Sequence, residues 1–168
     1  MKKGNISLVT FDEDNHRYFY QGKELKGITG IIGKIMGKYY PDNSVVDAAR
    51  SYGSQIHKEV EKWIEEKIPP ELVKAKWIVK HLEIFNEESG TKDSNRYNAE
   101  VRVSDFEGTA SNVDIVLHTP TGVYIFDIKT GKFDRRYCTL QLNAYRVMYE
   151  NCYNEKVLGM YVLCSKTE

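Results

Sequence analysis

The sequence predicts an α/β domain, and three observations carry that expectation. Two apolar runs, Val113 to Leu117 and Val123 to Ile128, are joined by turn chemistry and read as a hairpin of buried strands. Helical periodicity runs from Ser44 to Lys67 and again from Glu71 to Glu88, and a further helix and strand, 136–150 and 156–164, follow the hairpin. At 168 residues with 41% hydrophobic content, the chain fits one domain over 1–168, with 1–43 as an N-terminal decoration and 44–168 as its core.

The hairpin is where the chain carries acids that a core should lack. If its loop is Thr119-Pro-Thr-Gly122, with Gly122 free to take a positive φ, His118 pairs with Val123 and counting back sets Asp114 opposite Asp127. Directly facing residues have Cβ atoms about 4.5–5.5 Å apart, so like charges there destabilise a sheet unless something positive lies between them. The period of two puts Lys129 on the face of Asp127, while Ile128 points the other way with Tyr124 and Phe126. Unpaired buried carboxylates are costly, and a divalent cation such as Mg²⁺ or Mn²⁺ resolves the conflict. An Asp127–Lys129 pair that merely neutralises itself at a strand end leaves the second, facing acid unexplained.

Upstream, Ile6–Phe11 and Arg17–Tyr20 alternate like strands around the turn 12–15, and Gln21-Gly-Lys-Glu24 reads as a second turn. Asp12, Glu13 and Asp14 lack the alternating acids and distal Glu of a calcium loop, so a solvated turn is expected. Gly33-Lys34 invites comparison with a phosphate-binding loop, but Ile35 stands where that loop needs Ser or Thr. A short helix burying Ile31, Ile32, Ile35 and Met36 is the better account. Asp42 or Asn43 then caps the helix that starts at Ser44, whose core stripe is Val45, Ala49, Gly53, Ile56, Val60 and Ile64. Mid-helix glycine costs roughly 1 kcal/mol against alanine, so Gly53 signals close approach of another element, one turn before His57 and two before Glu61. Taken alone, a helical His beside an apolar stripe is ordinarily structural, and so are His81 and His118.

Pro69-Pro70 ends that helix, and the next one turns Leu72, Ala75, Trp77, Ile78, Leu82 and Phe85 inward or partly inward. A polar loop, 89–95, leads to a strand from Tyr97 to Val103, with Ala99, Val101 and Val103 on one face and Glu100 and Arg102 on the other. Beyond Lys129 the loop Thr130–Arg136 carries Lys132, Arg135 and Arg136, a cluster suited either to a phosphate backbone or to plain solvation. The helix that follows has Leu140, Gln141, Ala144, Tyr145 and Met148 along one side.

Asp114 followed across a hairpin by Asp127-Ile128-Lys129 resembles the PD-(D/E)XK nuclease superfamily. The pairs Gly53-x-x-x-His57 and Gln141-x-x-x-Tyr145, on the helices before and after, resemble its RecB-like, phage-type exonuclease branch. The resemblance covers residues 44 to 164. It implies a restriction-endonuclease-like αβββαβ core, with a mixed central sheet flanked by helices, plus an N-terminal β-hairpin and short helix. It implies that His57, Asp114, Asp127 and the Ile128 backbone carbonyl hold Mg²⁺ or Mn²⁺, that Lys129 aligns the attacking water, and that Gln141 and Tyr145 place the lysine and DNA. Glu100 matches a glutamate often seen on the first core strand of the branch, although an exposed Glu-Arg strand face accounts for it equally well. Where relatives often have Gly just before the first acid, this chain has Ala110-Ser-Asn-Val113. The implied activity is metal-dependent hydrolysis of DNA, as an exonuclease of phage-type recombination, with DNA as ligand and a recombination protein as candidate partner. A restriction-like endonuclease, or a nuclease fold that binds DNA or a partner without cutting, is the alternative.

Composition adds bounds. Lys plus Arg equals Asp plus Glu at 24 each, so no global basic field advertises nucleic acid, and any such potential must be local. Cys138, Cys152 and Cys164 are odd in number and widely spaced, which argues against a disulfide framework or a zinc site and falls short of the four ligands of an iron-sulfur cluster. No signal h-region or membrane-length run is present in the sequence, and a cytoplasmic location with no membrane partner is expected. The residues carry no signature of oligomeric state.

Overall fold

The computed structural model describes residues 3–38, 44–89 and 96–165. Its strands are β1 (Val9–Asp12), β2 (Arg17–Tyr20), β3 (Lys23–Gly27), β4 (Tyr97–Ser104), β5 (Thr109–Thr119), β6 (Gly122–Lys129) and β7 (Val157–Cys164). Its helices are α1 (Ile28–Ile35), α2 (Ser44–Glu66), α3 (Val73–Glu88) and α4 (Arg135–Tyr153). The strands form one mixed sheet in the order β1-β2-β3-β5-β6-β7, with β4 on β5, so the α/β class holds. The β3–β5 and β6–β7 pairs are parallel and the others antiparallel.

The hairpin forms in the expected register, His118 opposite Val123 and Thr119 opposite Gly122. Gly122 sits at φ +152° where a Cβ would run into the Lys156 carbonyl, which accepts from the Val123 N–H at 2.9 Å. Only glycine lets the turn start of β6 press onto the β7 start in this way.

Helices cover both faces of the sheet. On one face Ile56, Val60 and Ile64 of α2 and Ala75, Ile78, Val79 and Leu82 of α3 pack on Ile115, Leu117, Phe126 and Ile128. On the other, Leu142, Tyr145, Met148 and Tyr149 of α4 pack on Val113, Val116, Val123 and Ile125. Fully burying such a side chain contributes about 1.5–3 kcal/mol, so both faces hold the sheet between helices and leave its strand ends to carry polar groups. Asp134 caps α4 by accepting from the Tyr137 N–H, and Asn154 ends it in the left-handed region at φ +55°.

Several expectations are corrected. Of the turn expected over Gln21–Glu24 only Gln21 and Gly22 turn; Lys23 and Glu24 open the strand Lys23–Gly27, which docks parallel on Thr109 and Ala110 and makes the N-terminal meander part of the main sheet. Ile6–Leu8 is a 3-10 turn, and β1 begins only at Val9. Ala49 is exposed, with every residue from Asp47 to Tyr52, because α2 there runs beyond the sheet, and its first fully buried residue among those described is Ile56. Ile35, Trp77 and Leu140 are also exposed, while Ile32 is the buried residue of α1. The expected cap at Asp42 or Asn43 and the loop 90–95 lie outside the described residues. Among the described residues no helix is long and apolar enough to cross a membrane.

Candidate metal centre

Alternation fails at one position on each of two neighbouring strands. On β4, Ala99 packs towards α2 and α3, whereas Val101 and Val103 pack towards α4, so the three do not share a face as their spacing predicts. Glu100 between them lies at φ +49°, a left-handed conformation that costs an L-residue about 1–2 kcal/mol and turns the strand over. On β5 the change falls at Asp114: Val113 and Val116 face α4, and Ile115 faces α2. Glu100 stands opposite Asp114, between the pairs Ala99–Ile115 and Val101–Val113.

The ladder between β5 and β6 ends at Ile115 and Phe126, and one step further Asp114 meets Asp127. There the Asp114 side chain takes over from the backbone, its Oδ2 accepting from the Ile128 N–H at 2.6 Å. Glu100, Asp114 and Asp127 therefore form a row across three adjacent strands.

α2 crosses this row closely because of Gly53. A Cβ there would stand 2.9 Å from the Thr130 Oγ1, just past Lys129, so the glycine admits the end of β6 as its mid-helix position suggested. One turn on, His57 Nδ1 lies 3.6 Å from Asp114 Oδ1, too far for a hydrogen bond. His57, Glu100 and Asp114 each offer a ligand atom within 4.8 Å of the others. Asp127 is outside this trio; the Lys129 ammonium stands 2.7 Å from its Oδ2. Neither Asp127 oxygen has a partner in hydrogen-bond geometry, although the residue is 1% exposed.

Glu100 and Asp127 are electrostatically unsatisfied. Burial, then the neighbouring Asp114, pushes the Glu100 carboxyl up to about 7, against a lowering hydrogen bond from Asn112. Burial and Asp114 likewise raise Asp127, and Lys129 and His57 only partly offset them. Burial acts to lower the Lys129 ammonium, but Asp127 and Asp114 outweigh it and hold its pKa above the usual lysine value. Both members of the pair report one cause, carboxylates crowded away from water, and Lys129 stays a cation.

The remaining predicted residues separate. Gln141 Nε2 donates to the Tyr145 hydroxyl at 2.7 Å, and Ser111 Oγ does so at 3.4 Å. Burial raises the Tyr145 pKa well above its ordinary value, so it remains a phenol, and Gln141 Oε1 is buried without a hydrogen-bond partner. The ring that reaches Lys129 is Tyr137, one turn before Gln141, with the ammonium 5.9 Å from its centroid and Lys38 at 4.2 Å. Sequence reasoning missed Tyr137 and Lys38; the i−4 spacing from Gln141 was the available signal. Lys132, Arg135 and Arg136 are exposed, and the two arginines open α4 instead of lying in the loop, because Asp134 caps the helix there. Glu100 and Arg102 are half-buried, not an exposed face: Arg102 donates to the Val9 carbonyl at 3.0 Å. His81 and His118 lie elsewhere, against the Trp77 carbonyl and Glu155.

The donor set fits a hard divalent cation. Carboxylate oxygens with one imidazole nitrogen suit Mg²⁺ or Mn²⁺, and a cation would relieve the like-charge row that Lys129 only partly neutralises. No model of a known protein family matches the chain, and no curated protein matches it.

Proposed function

We propose that the protein is a metal-dependent deoxyribonuclease, with the restriction-endonuclease-like core of the PD-(D/E)XK superfamily and an exonuclease's preference for ends. The observation that carries this reading is the row Glu100–Asp114–Asp127 with His57 at one end and Lys129 at the other. The succession α2, β4, β5, β6, α4, β7, with α3 inserted after α2, supports the fold assignment. Arg135 and Arg136, both exposed, open α4 a few residues beyond Lys129 and add weight as groups suited to a phosphate backbone.

His57, Glu100 and Asp114 would hold the cation, with Asp127 and the Ile128 carbonyl as further ligands; when bound, it supplies Lewis-acid charge to a phosphodiester oxygen. The protein's own groups do the rest. Asp114 anchors the Ile128 peptide, which fixes where the Ile128 carbonyl and the Lys129 side chain start. Lys129, kept as an ammonium by the acids beside it, donates to the attacking water or to the charge that builds on the phosphate, and cannot act as the base. Gln141 and Tyr145 brace Ser111 at the start of the acid-bearing part of β5. Lys132, Arg135 and Arg136 hold the sugar-phosphate backbone.

Linear DNA with Mn²⁺ tests the proposal. Cutting that disappears in Lys129→Ala while circular dichroism stays unchanged supports it, and resistance of covalently closed circles separates exonuclease from endonuclease. If wild type and variant are equally inert on linear and circular DNA with either cation, the catalytic reading fails.

A further inference from the structure

Five aromatic side chains are exposed among the described residues: Tyr52, Trp77, Phe133, Tyr153 and Tyr161. Three of them already have a ring partner. Trp77 stacks on His81 with centroids 3.9 Å apart, Tyr153 lies 4.6 Å from Tyr149, and Tyr161 stacks on Phe126 at 5.4 Å. Tyr52 and Phe133, 39% and 46% exposed, have none.

Both flank the end of β6. Tyr52 precedes Gly53, the residue that admits Thr130, and its ring lies 5.7 Å from the Lys74 ammonium, which in turn donates to the Thr130 carbonyl at 3.2 Å. Phe133 follows Thr130 by three residues, in the turn that carries Lys132 and leads into Arg135 and Arg136. The overhanging first half of α2 and the loop after Lys129 thus each bring one exposed ring without an aromatic partner, and nearby cations, to the side of the acid row where the lysine sits.

We infer that Tyr52 and Phe133 are base-stacking platforms, and that the substrate class of the site is single-stranded DNA or the frayed single-stranded end of a duplex. The inference rests on the nuclease reading above. Exposed rings interleaved with cations suit a strand whose bases are free, because every base has a π face and the cations follow its backbone. Bases inside a duplex are already stacked on each other and have no face to offer, so a duplex-only site would need the cations without the rings.

The test is binding and cleavage by the full chain carrying Tyr52→Ala, Phe133→Ala or the conservative Phe133→Trp. Fluorescein-labelled 15-nucleotide oligothymidine and a blunt 15-base-pair duplex are titrated by anisotropy in Ca²⁺, and KM and kcat are read in Mn²⁺. Each alanine variant should weaken single-strand binding about tenfold and raise KM by a similar factor, with kcat at saturation and duplex binding within twofold of wild type. Phe133→Trp should bind as wild type does, and Phe133→Leu, which keeps apolar area but no π face, should behave as the alanine variant. If wild type cuts DNA and the alanine variants bind oligothymidine as tightly as it does, or lose both DNA forms equally, the stacking inference is overturned and the nuclease reading stands. A wild type that neither binds nor cuts any DNA overturns both.

Discussion

Two acidic regions of this protein meet opposite electrostatic fates. In the turn between β1 and β2, Asp12 Oδ1 accepts from the Asn15 N–H at 3.1 Å, its Oδ2 takes the Asn15 amide and Arg17, and its pKa falls below the ordinary value, the Asn15 hydrogen bonds leading. In the row across β4, β5 and β6, Glu100 and Asp127 are pushed up by burial and by Asp114, and the Lys129 ammonium beside Asp127 only partly offsets this. The turn uses its acid to build itself. The row holds acids that the fold alone does not need, and a like-charged buried row persists only if something else rewards it.

Removing the amine from the row should give the largest effect. Lys129→Ala is expected to lower kcat by about 10²–10³, the usual loss when one donor to developing charge is deleted, and it leaves Asp127 with no ion pair. Steady-state cleavage of linear DNA in Mn²⁺ measures it. A loss below tenfold would mean that the ammonium only neutralises Asp127, as an ordinary ion pair at a strand end would.

The next effect is on stability and distinguishes the row from the turn by sign. Glu100 has a folded pKa of about 7 against an ordinary 4.5. An acid raised in this way favours the fold when protonated, so its contribution is complete below 4.5 and is lost as pH rises through 7. Glu100→Gln should therefore gain about 3 kcal/mol on wild type between pH 4.5 and pH 8 in EDTA, read by urea unfolding. Mn²⁺ at pH 8 should restore wild type but not the variant. If Glu100→Gln is instead destabilised at pH 8, the acid has a satisfied structural role and the cation is not needed to explain it.

How far the sequence discloses this region follows from what kind of physics sets each part. The hairpin register is local: Thr119 to Gly122 is turn chemistry, and once it is set, Asp114 faces Asp127 by counting. The Gly53 approach is also legible, since a glycine in mid-helix weakens the helix and is retained where a side chain would block a neighbouring element. Glu100 is not. Its left-handed backbone reverses β4 between Ala99 and Val101, and nothing in Ala-Glu-Val announces that, so the sequence leaves a site acid and an exposed Glu-Arg strand face as equal accounts of the residue. Ala49 shows a different limit: helical spacing tells which face points to the core but not where the sheet beneath it stops. Lys23-Glu-Leu-Lys-Gly27 has one apolar side chain, Leu25, and becomes a strand because β2 and Thr109–Ala110 of β5 flank it, a tertiary cause.

Gly53→Ala probes the contact that brings His57 to the row. Alanine gains about 1 kcal/mol of helix propensity, and the new Cβ meets Thr130 Oγ1 at 2.9 Å, so the two effects oppose and net stability should change by less than about 1 kcal/mol. Cleavage should fall several-fold, because Thr130 adjoins Lys129 and must give way. Adding Thr130→Ala removes the Oγ1 and should recover most of the loss; a double variant as slow as the single one would show that the glycine is present for another reason.

The smallest effect returns to the turn. Glu13, next to Asp12, raises the Glu100 pKa by charge alone, last among the causes acting on it. Glu13→Gln should lower the Glu100 pKa slightly, and because a cation competes with the proton on that carboxyl, the midpoint of Mn²⁺ binding against pH should move down by a few tenths of a unit at low salt and not at all in 1 M salt, where the Debye length is about 3 Å. Calorimetric Mn²⁺ titrations between pH 5 and 8 read the shift. A large loss of affinity that survives high salt would instead make Glu13 a ligand, and the contrast between a self-satisfied turn and an unsatisfied row would no longer hold.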